Sequence, residues 1–182
     1  DSYYGKTKII NEKFFVNYCK RYDKSYLIIS PSHVIGPNDK YGSINNMFLL
    51  NLYRSKVIFY PQCYISLVDV RHIANFVLEA ILGNELRNKK IILNDASISI
   101  KEYIDLIKKK KFFVSFPVST NLIKVVIFLQ KILRIMFKYQ LNLISDSRYK
   151  YILLNPKTVV NNYKRVYDLK TTIQDTKKLK IW

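Results

Sequence analysis

The sequence predicts an α/β fold built on a parallel sheet, followed by a mostly helical C-terminal part. Three observations carry this reading. Strand-like and helix-like stretches alternate up to residue 112, which is the grammar of parallel-sheet proteins. The strand-like runs are short and continuously apolar, as in strands covered on both faces. Beyond residue 112, long apolar stretches with helical spacing take over.

Residues 3–21 read as a helix, with Ile9, Ile10, Phe14, Val16 and Tyr18 set among Lys and Asn and with Ser2 placed to cap its start. Tyr26-Leu27-Ile28-Ile29 is a short strand ending at Pro31, and Gly36-Pro37-Asn38-Asp39 is turn chemistry. A helix follows over 43–54. Ile65–Asp69 reads as a second strand, and a helix over 70–83 stops near Gly83-Asn84. Lys90–Leu93 is a third strand. Ser99 and Glu102 then form a capping box that opens a helix running to the Lys108–Lys111 cluster.

The segment 121–138 is strongly apolar, with Lys124, Lys131 and Lys138 seven apart on one stripe. Together with Arg134 they are four charges within eighteen residues, which argues against a membrane span. The segment reads as the buried helix of a small helical subdomain. A basic amphipathic helix lying on a membrane surface or against a partner is the alternative. Helices over 145–154, 156–164 and 169–179 complete the chain.

A net charge of +18 invites a nucleic-acid reading. The composition argues otherwise. Lys, Ile, Asn, Tyr and Phe, whose codons can be written wholly in A and T, supply 88 of 182 residues. Lys outnumbers Arg 24 to 7, although Arg is the better fork for phosphates and guanine edges. Codon bias accounts for the charge as well as selection for nucleic acid would. Cys19 and Cys63 make neither a disulfide framework nor a zinc site and read as the reduced thiols of a cytoplasmic protein.

Tyr4 and Lys8 stand four apart, on one face of the first helix. An ammonium one turn from a phenol favours the phenolate, so such a Tyr can give a proton to a carbonyl or take one from an alcohol. In a chain with 15 Tyr and 24 Lys, the spacing alone does not separate a catalytic pair from two surface residues.

The residues around and beyond the pair add context. Tyr4-Gly5-Lys6-Thr7-Lys8 with Glu12, then Pro31-Ser32-His33-Val34-Ile35-Gly36-Pro37-Asn38-Asp39, then Leu67-Val68-Asp69-Val70-Arg71-His72-Ile73-Ala74, follow one another in order. Ile91-Ile92-Leu93-Asn94, Ser99-Ile100-Lys101-Glu102 and Val166-Tyr167-Asp168-Leu169-Lys170 continue the series. Together they resemble the extended short-chain dehydrogenases/reductases, the NAD-dependent epimerase/dehydratase group. P-S-x-V-x-G-P and V-D-V-R are most similar to its dihydroflavonol-reductase-like branch.

The resemblance implies the C-terminal part of a Rossmann-like NAD(P)-binding domain with a smaller, mostly helical substrate-binding subdomain. Residues 1–36 and 64–95 would form the former, and 37–63 and 96–182 the latter. It implies Tyr4 as general acid/base and Lys8 as ligand of the nicotinamide ribose. Pro31, Ser32, His33 and Val34 would lie beside the nicotinamide of NAD or NADP, with Ser32 and His33 also facing substrate. Asp69 and Arg71 would brace a strand–helix junction under the site. The substrate would be a small carbonyl or alcohol, or a nucleotide sugar, and the assembly a homodimer. No specific nucleic acid and no transmembrane span is expected.

The sequence also departs from the family. Its four glycines (5, 36, 42 and 83) form no glycine-rich dinucleotide loop, so an inactive fragment lacking the phosphate site is expected. A non-catalytic remnant, or a basic nucleic-acid-binding protein that kept the fold, is the alternative from another class. His72 stands where the family has Asp, and Ser30 where Arg or Asn is common. Cys63 with His33 or His72 as a thiol nucleophile and base, or as metal ligands, has no spacing to support it.

Overall fold

A computed structural model describes residues 3–83, 87–108, 112–137 and 165–179. Helix α1 (Tyr3–Arg21) leads into β1 (Leu27–Pro31) and, past Ser32, into β2 (His33–Ile35). Then come α2 (Ile44–Arg54), β3 (Val57–Pro61), β4 (Tyr64–Asp69) and α3 (Val70–Leu82). The order continues with β5 (Lys89–Leu93), β6 (Ala96–Ser99), α4 (Ile100–Lys108), β7 (Val114–Val118), α5 (Thr120–Phe137) and, near the end, α6 (Leu169–Lys177).

The predicted helices over 3–21, 43–54 and 70–83 and the three predicted strands are present; the helix expected over 121–138 is present as far as Phe137, but it is not the buried helix expected, since Leu122, Val125, Phe128 and Leu129 are exposed. The cap expected from Ser2 and the helices expected over 145–154 and 156–164 lie outside the described residues. Four strands, β2, β3, β6 and β7, were not predicted, and each has a physical reason to be silent in the sequence. β2 is three residues long, and β6 (Ala-Ser-Ile-Ser) has one large apolar residue. β3 and β7 pair only with each other, in parallel, Val57 opposite Val114. Both contain a proline, Pro61 and Pro117, a residue that normally counts against a strand.

The remaining pairings are β1 with β5 in parallel and β2 with β4 in parallel, with β6 antiparallel on the other side of β4. A hydrophobic core joins helices α2, α4 and α6 to strands β2, β3 and β4. Leu49, Leu50, Ile58, Ile65, Leu67, Tyr103, Ile104, Ile107 and Ile173 are buried together there. Each such side chain contributes ~1.5–3 kcal/mol by leaving water. On α4 the buried positions recur at Ile100, Tyr103, Ile104 and Ile107, one face of a 3.6-residue helix. Lys108, at the end of that face, is 2% exposed, and its ammonium donates to the carbonyls of Tyr53 and Ser55 at the end of α2. It thus satisfies carbonyls that the helix end leaves without partners.

Gly36 is required where the chain leaves β2. Its φ is +149°, and a Cβ there would meet Val70 Cγ1 at 2.7 Å. Its N–H donates to Asn46 Oδ1 and its carbonyl accepts from Asn46 Nδ2, which ties the turn to α2. Asp39 completes the turn by accepting from the N–H groups of Tyr41, Gly42 and Ser43.

The junction of β4 and α3 is built on a buried carboxylate. Asp69, 1% exposed, caps α3 by accepting from the Arg71 N–H (2.8 Å). It accepts from the Arg71 guanidinium (2.6 Å) and from the Thr172 hydroxyl (2.6 Å). Arg71 reaches on to Asp175 (2.9 Å), and its guanidinium lies 3.5 Å from the Tyr167 ring centre. The bracing expected of Asp69 and Arg71 is therefore present, and it reaches about a hundred residues along the chain to hold α6.

His72 sits beside this junction, 1% exposed. Its Nδ1 lies 2.8 Å from Asp95 Oδ2, while its Nε2 accepts from the backbone N–H groups of Val166 (3.1 Å) and Tyr167 (3.0 Å). Accepting at Nε2 fixes the proton on Nδ1. An Asp at this position would face the Asp95 carboxylate with a like charge, so the histidine and its partner make a consistent pair.

Burial alone would raise the Asp69 carboxyl, but the bonds from Arg71 and Thr172 and the guanidinium charge outweigh it and hold Asp69 below the usual range. A depressed folded-state value contributes stability above about pH 4 that is lost as pH falls through it. Asp69→Asn is expected to destabilise the chain by about 3 kcal/mol at neutral pH and to remove part of the acid-side decline, measured by urea unfolding against pH.

Candidate active site

Ser32 is the residue at which the chain changes neighbours. Up to Pro31 it pairs with β5, and from His33 onward it pairs with β4. The Ser32 N–H still donates to Leu93 O (2.9 Å), the last residue of β5.

A line of hydrogen bonds runs inward from that point. The Ser32 hydroxyl donates to Asn94 Oδ1 (3.1 Å), and Asn94 Nδ2 donates to Ser97 Oγ (3.1 Å). Ser97 Oγ lies 2.9 Å from Ser66 Oγ. His33 Nδ1 lies 3.1 Å from the Ser66 carbonyl, which can only accept, so Nδ1 carries the proton. Burial lowers the His33 imidazole below its usual range, opposed by that bond, and favours the neutral ring. Of these residues the sequence reading singled out Ser32 and His33 as site residues but not Asn94, Ser66 or Ser97. Ser66, a lone polar residue inside the apolar run Ile65–Val68, was the signal available.

Tyr4 and Lys8 stand on α1. Tyr4 is 72% exposed, and the Lys8 ammonium lies over its ring, 5.4 Å from the centre, rather than on its hydroxyl. The helix is set against the sheet by an ion pair between Glu12 and Lys90 (2.7 Å) and by the edge-on contact of Phe15 with Tyr26.

Of the residues expected beside a nicotinamide, Pro31 ends β1, His33 and Val34 belong to β2, and Ser32 alone lies between the two pairings. At each of the five described helices after α1, a side chain of the chain itself takes an N–H of the first turn. Ser43, Asp69, Ser99, Ser119 and Asp168 accept from the N–H groups there. Two of these caps are carboxylates, which repel a phosphate from the place where a helix would bind it. Among the described residues no group of His, Cys, Asp and Glu could hold a metal ion. Cys63 is buried, and burial raises its thiol, so it is no thiolate nucleophile.

No protein-family model matches the sequence, and no curated protein matches it. Solved structures do. A nucleoside-diphosphate-sugar epimerase from Pseudomonas aeruginosa superposes with a TM-score of 0.67 at 14% identity, covering 97% of this chain and 54% of its own. The chain has a Rossmann-type α/β fold. An ADP-L-glycero-D-manno-heptose-6-epimerase from Helicobacter pylori gives 0.55 at 13% identity, covering 97% of this chain and 50% of its own. RMD from Pseudomonas aeruginosa, solved in complex with NADPH, gives 0.52 at 14% identity, covering 63% and 43%. The chain spans about half the length of these structures.

Asn94 is 0% exposed and satisfies two neighbouring hydroxyls. Asn94→Ala is expected to cost about 2 kcal/mol in chemical denaturation, because it leaves buried polar groups without partners.

Proposed function

We propose that this chain is the catalytic portion of an NAD(P)-dependent short-chain dehydrogenase/reductase-type enzyme. In this reading Tyr4 is the proton donor and acceptor, and Lys8 its electrostatic partner and a ligand of the nicotinamide ribose. The observation that carries the reading is the order of the sequence motifs that run from Tyr4 to Lys170. It is supported by a fold shared with epimerases and an NADPH-bound protein.

Bound NAD(P) would supply or accept hydride at the substrate carbon. The chain's own tasks are then three. Tyr4 moves the proton to or from the substrate oxygen. Pro31, Ser32, His33 and Val34 orient the nicotinamide, with Ser32 held by Asn94, and Ser32 and His33 also face substrate. Residues 1–36 and 64–95 form the cofactor side, and 37–63 and 96–182 the substrate side. The first substrate reading is a small carbonyl or secondary alcohol, on the dihydroflavonol-reductase-like motifs P-S-x-V-x-G-P and V-D-V-R. A nucleotide-sugar epimerase or dehydratase is the second, favoured by two of the superposed structures. Both use the same Tyr/Lys proton chemistry.

The phosphate end of the cofactor site is proposed to belong to a part of the enzyme outside these residues. The missing glycine-rich loop supports this, and so does α1. Ile9, Ile10, Phe14, Phe15 and Tyr18 stand exposed on it, and Cys19 is its one buried residue. A helix in so little contact draws little stability from packing on its own. The buried, unpaired thiols fit a cytoplasmic setting.

The 182-residue chain alone is expected to bind NADH no more tightly than millimolar, measured by calorimetry. Micromolar binding would remove the half-site reading. In the intact enzyme, Tyr4→Phe is expected to lower turnover by at least ~100-fold with cofactor affinity unchanged. Full activity of that variant would end the proposed mechanism.

A further inference from the structure

His72 is a fully buried titratable side chain with no task in the proton transfer proposed for Tyr4. Its ring serves two neighbours at once. Nδ1 lies 2.8 Å from Asp95 Oδ2, and Nε2 accepts from the N–H groups of Val166 (3.1 Å) and Tyr167 (3.0 Å). Two donors on one ring nitrogen require a lone pair there. A proton on Nε2 removes that lone pair and sets a third N–H against the other two. A carboxylate would accept the same two bonds at any pH from about 5 to about 8, whereas an imidazole changes charge within that range.

The segment that His72 holds is lightly packed. Arg165, Val166 and Asp168 are exposed, and Tyr167 is half-buried, its ring lying along the imidazole with 5.9 Å between centres. α6, which follows, does not depend on this contact. It is held by Thr172 on Asp69, by Asp175 on Arg71 and by the buried Ile173.

The charged groups around the ring decide the sign. Asp95, between β5 and β6, favours a second proton whether or not the segment is docked. Arg71, next to His72 in α3, is bound to Asp69 and Asp175 and opposes it. Arg165 donates to the Asp95 carbonyl (2.8 Å) and opposes it only while docked. Asp168 is turned to the first turn of α6, where it takes the Thr171 N–H. What differs between docked and released states is therefore the pair of N–H groups and Arg165, and both disfavour the imidazolium in the docked state. The released state binds the proton more tightly, so falling pH favours release.

We propose that residues 165–168 form a proton-operated latch over the β4–α3 junction. Neutral His72 holds it closed, and protonation at Nε2 keeps it open while α6 stays in place. The closed ring is shielded from water, so opening comes first and the proton then holds the open form. The inference is independent of the catalytic reading.

The test is amide hydrogen exchange, followed by NMR on the 182-residue chain between about pH 8 and about pH 5. After correction for intrinsic exchange, protection of Val166 and Tyr167 is expected to fall with pH by up to ~10-fold per unit, the slope of one bound proton. Ile104 and Ile107 in α4 are expected to keep theirs. Nitrogen spectra of His72 should show a proton on Nδ1 alone at pH ~8 and on both nitrogens as protection is lost. His72→Gln, which can accept but cannot titrate, should give protection that no longer changes with pH. If that variant fails to fold, Asp95→Asn should move the loss of protection down by about 1 pH unit, because the charge favouring the imidazolium is gone. Protection of the two amides that stays flat with pH overturns the proposal. So does a doubly protonated His72 with both amides still protected, or a loss shared equally by α4.

Discussion

A carboxylate without access to water must be satisfied by the protein, and Asp69 imposes that requirement at the centre of this chain. Its two oxygens accept from the Arg71 backbone, the Arg71 guanidinium and the Thr172 hydroxyl. Because Arg71 also binds Asp175 and covers the Tyr167 ring, the requirement extends from the end of β4 to α6. His72 and Asp95 work beside it, taking the backbone N–H groups of Val166 and Tyr167 and of Asp69 itself. Breaking a buried pair strands a charge, whereas replacing the whole pair by apolar residues often costs little. The network therefore specifies which segment docks at this junction more than it adds net stability.

The same junction sets which neighbour the chain takes past Ser32. β4, fixed at its end by Asp69, is the neighbour that β2 pairs with once the chain leaves β5. Ser32 sits between the two pairings, and its hydroxyl is held by Asn94 at the exit of β5. Ser32, Asn94, Ser97 and Ser66 are thus held in one line of hydrogen bonds, so that each fixes the orientation of the next.

Much of the fold was legible in the sequence, because its elements announce themselves locally. α2 has its cap at Ser43, α4 its capping box at Ser99 and Glu102, and β1, β4 and β5 their apolar runs. What was not legible depends on partners far along the chain. The register of Val57 with Val114 leaves no local mark, and both strands carry a proline. Ser66 and Ser97 look ordinary until the sheet brings them together. The exchange of Asp for His at position 72 read as a departure from the family. In three dimensions it is a coherent pair, since the imidazole can give a proton to Asp95 and still accept at Nε2. A carboxylate could do only the second. For Tyr4 and Lys8 the sequence supplied the pair and its helix, whereas the contact of that helix with β5 through Glu12 and Lys90 left no mark in it.

The packing is unevenly distributed, and that bears on what the chain is for. The buried core belongs to α2, α4, α6 and the strands between them, while α1 and the β1–β5 pair hold few buried side chains. Parallel pairs are stable when both faces are covered, and two strands alone are marginal in water. Tyr4, Lys8 and Ser32 stand on the less-covered side, while the buried core gathers around α2, α4 and α6. The well-packed part can hold its geometry from its own contacts, whereas α1 and the β1–β5 pair draw little of theirs from buried side chains.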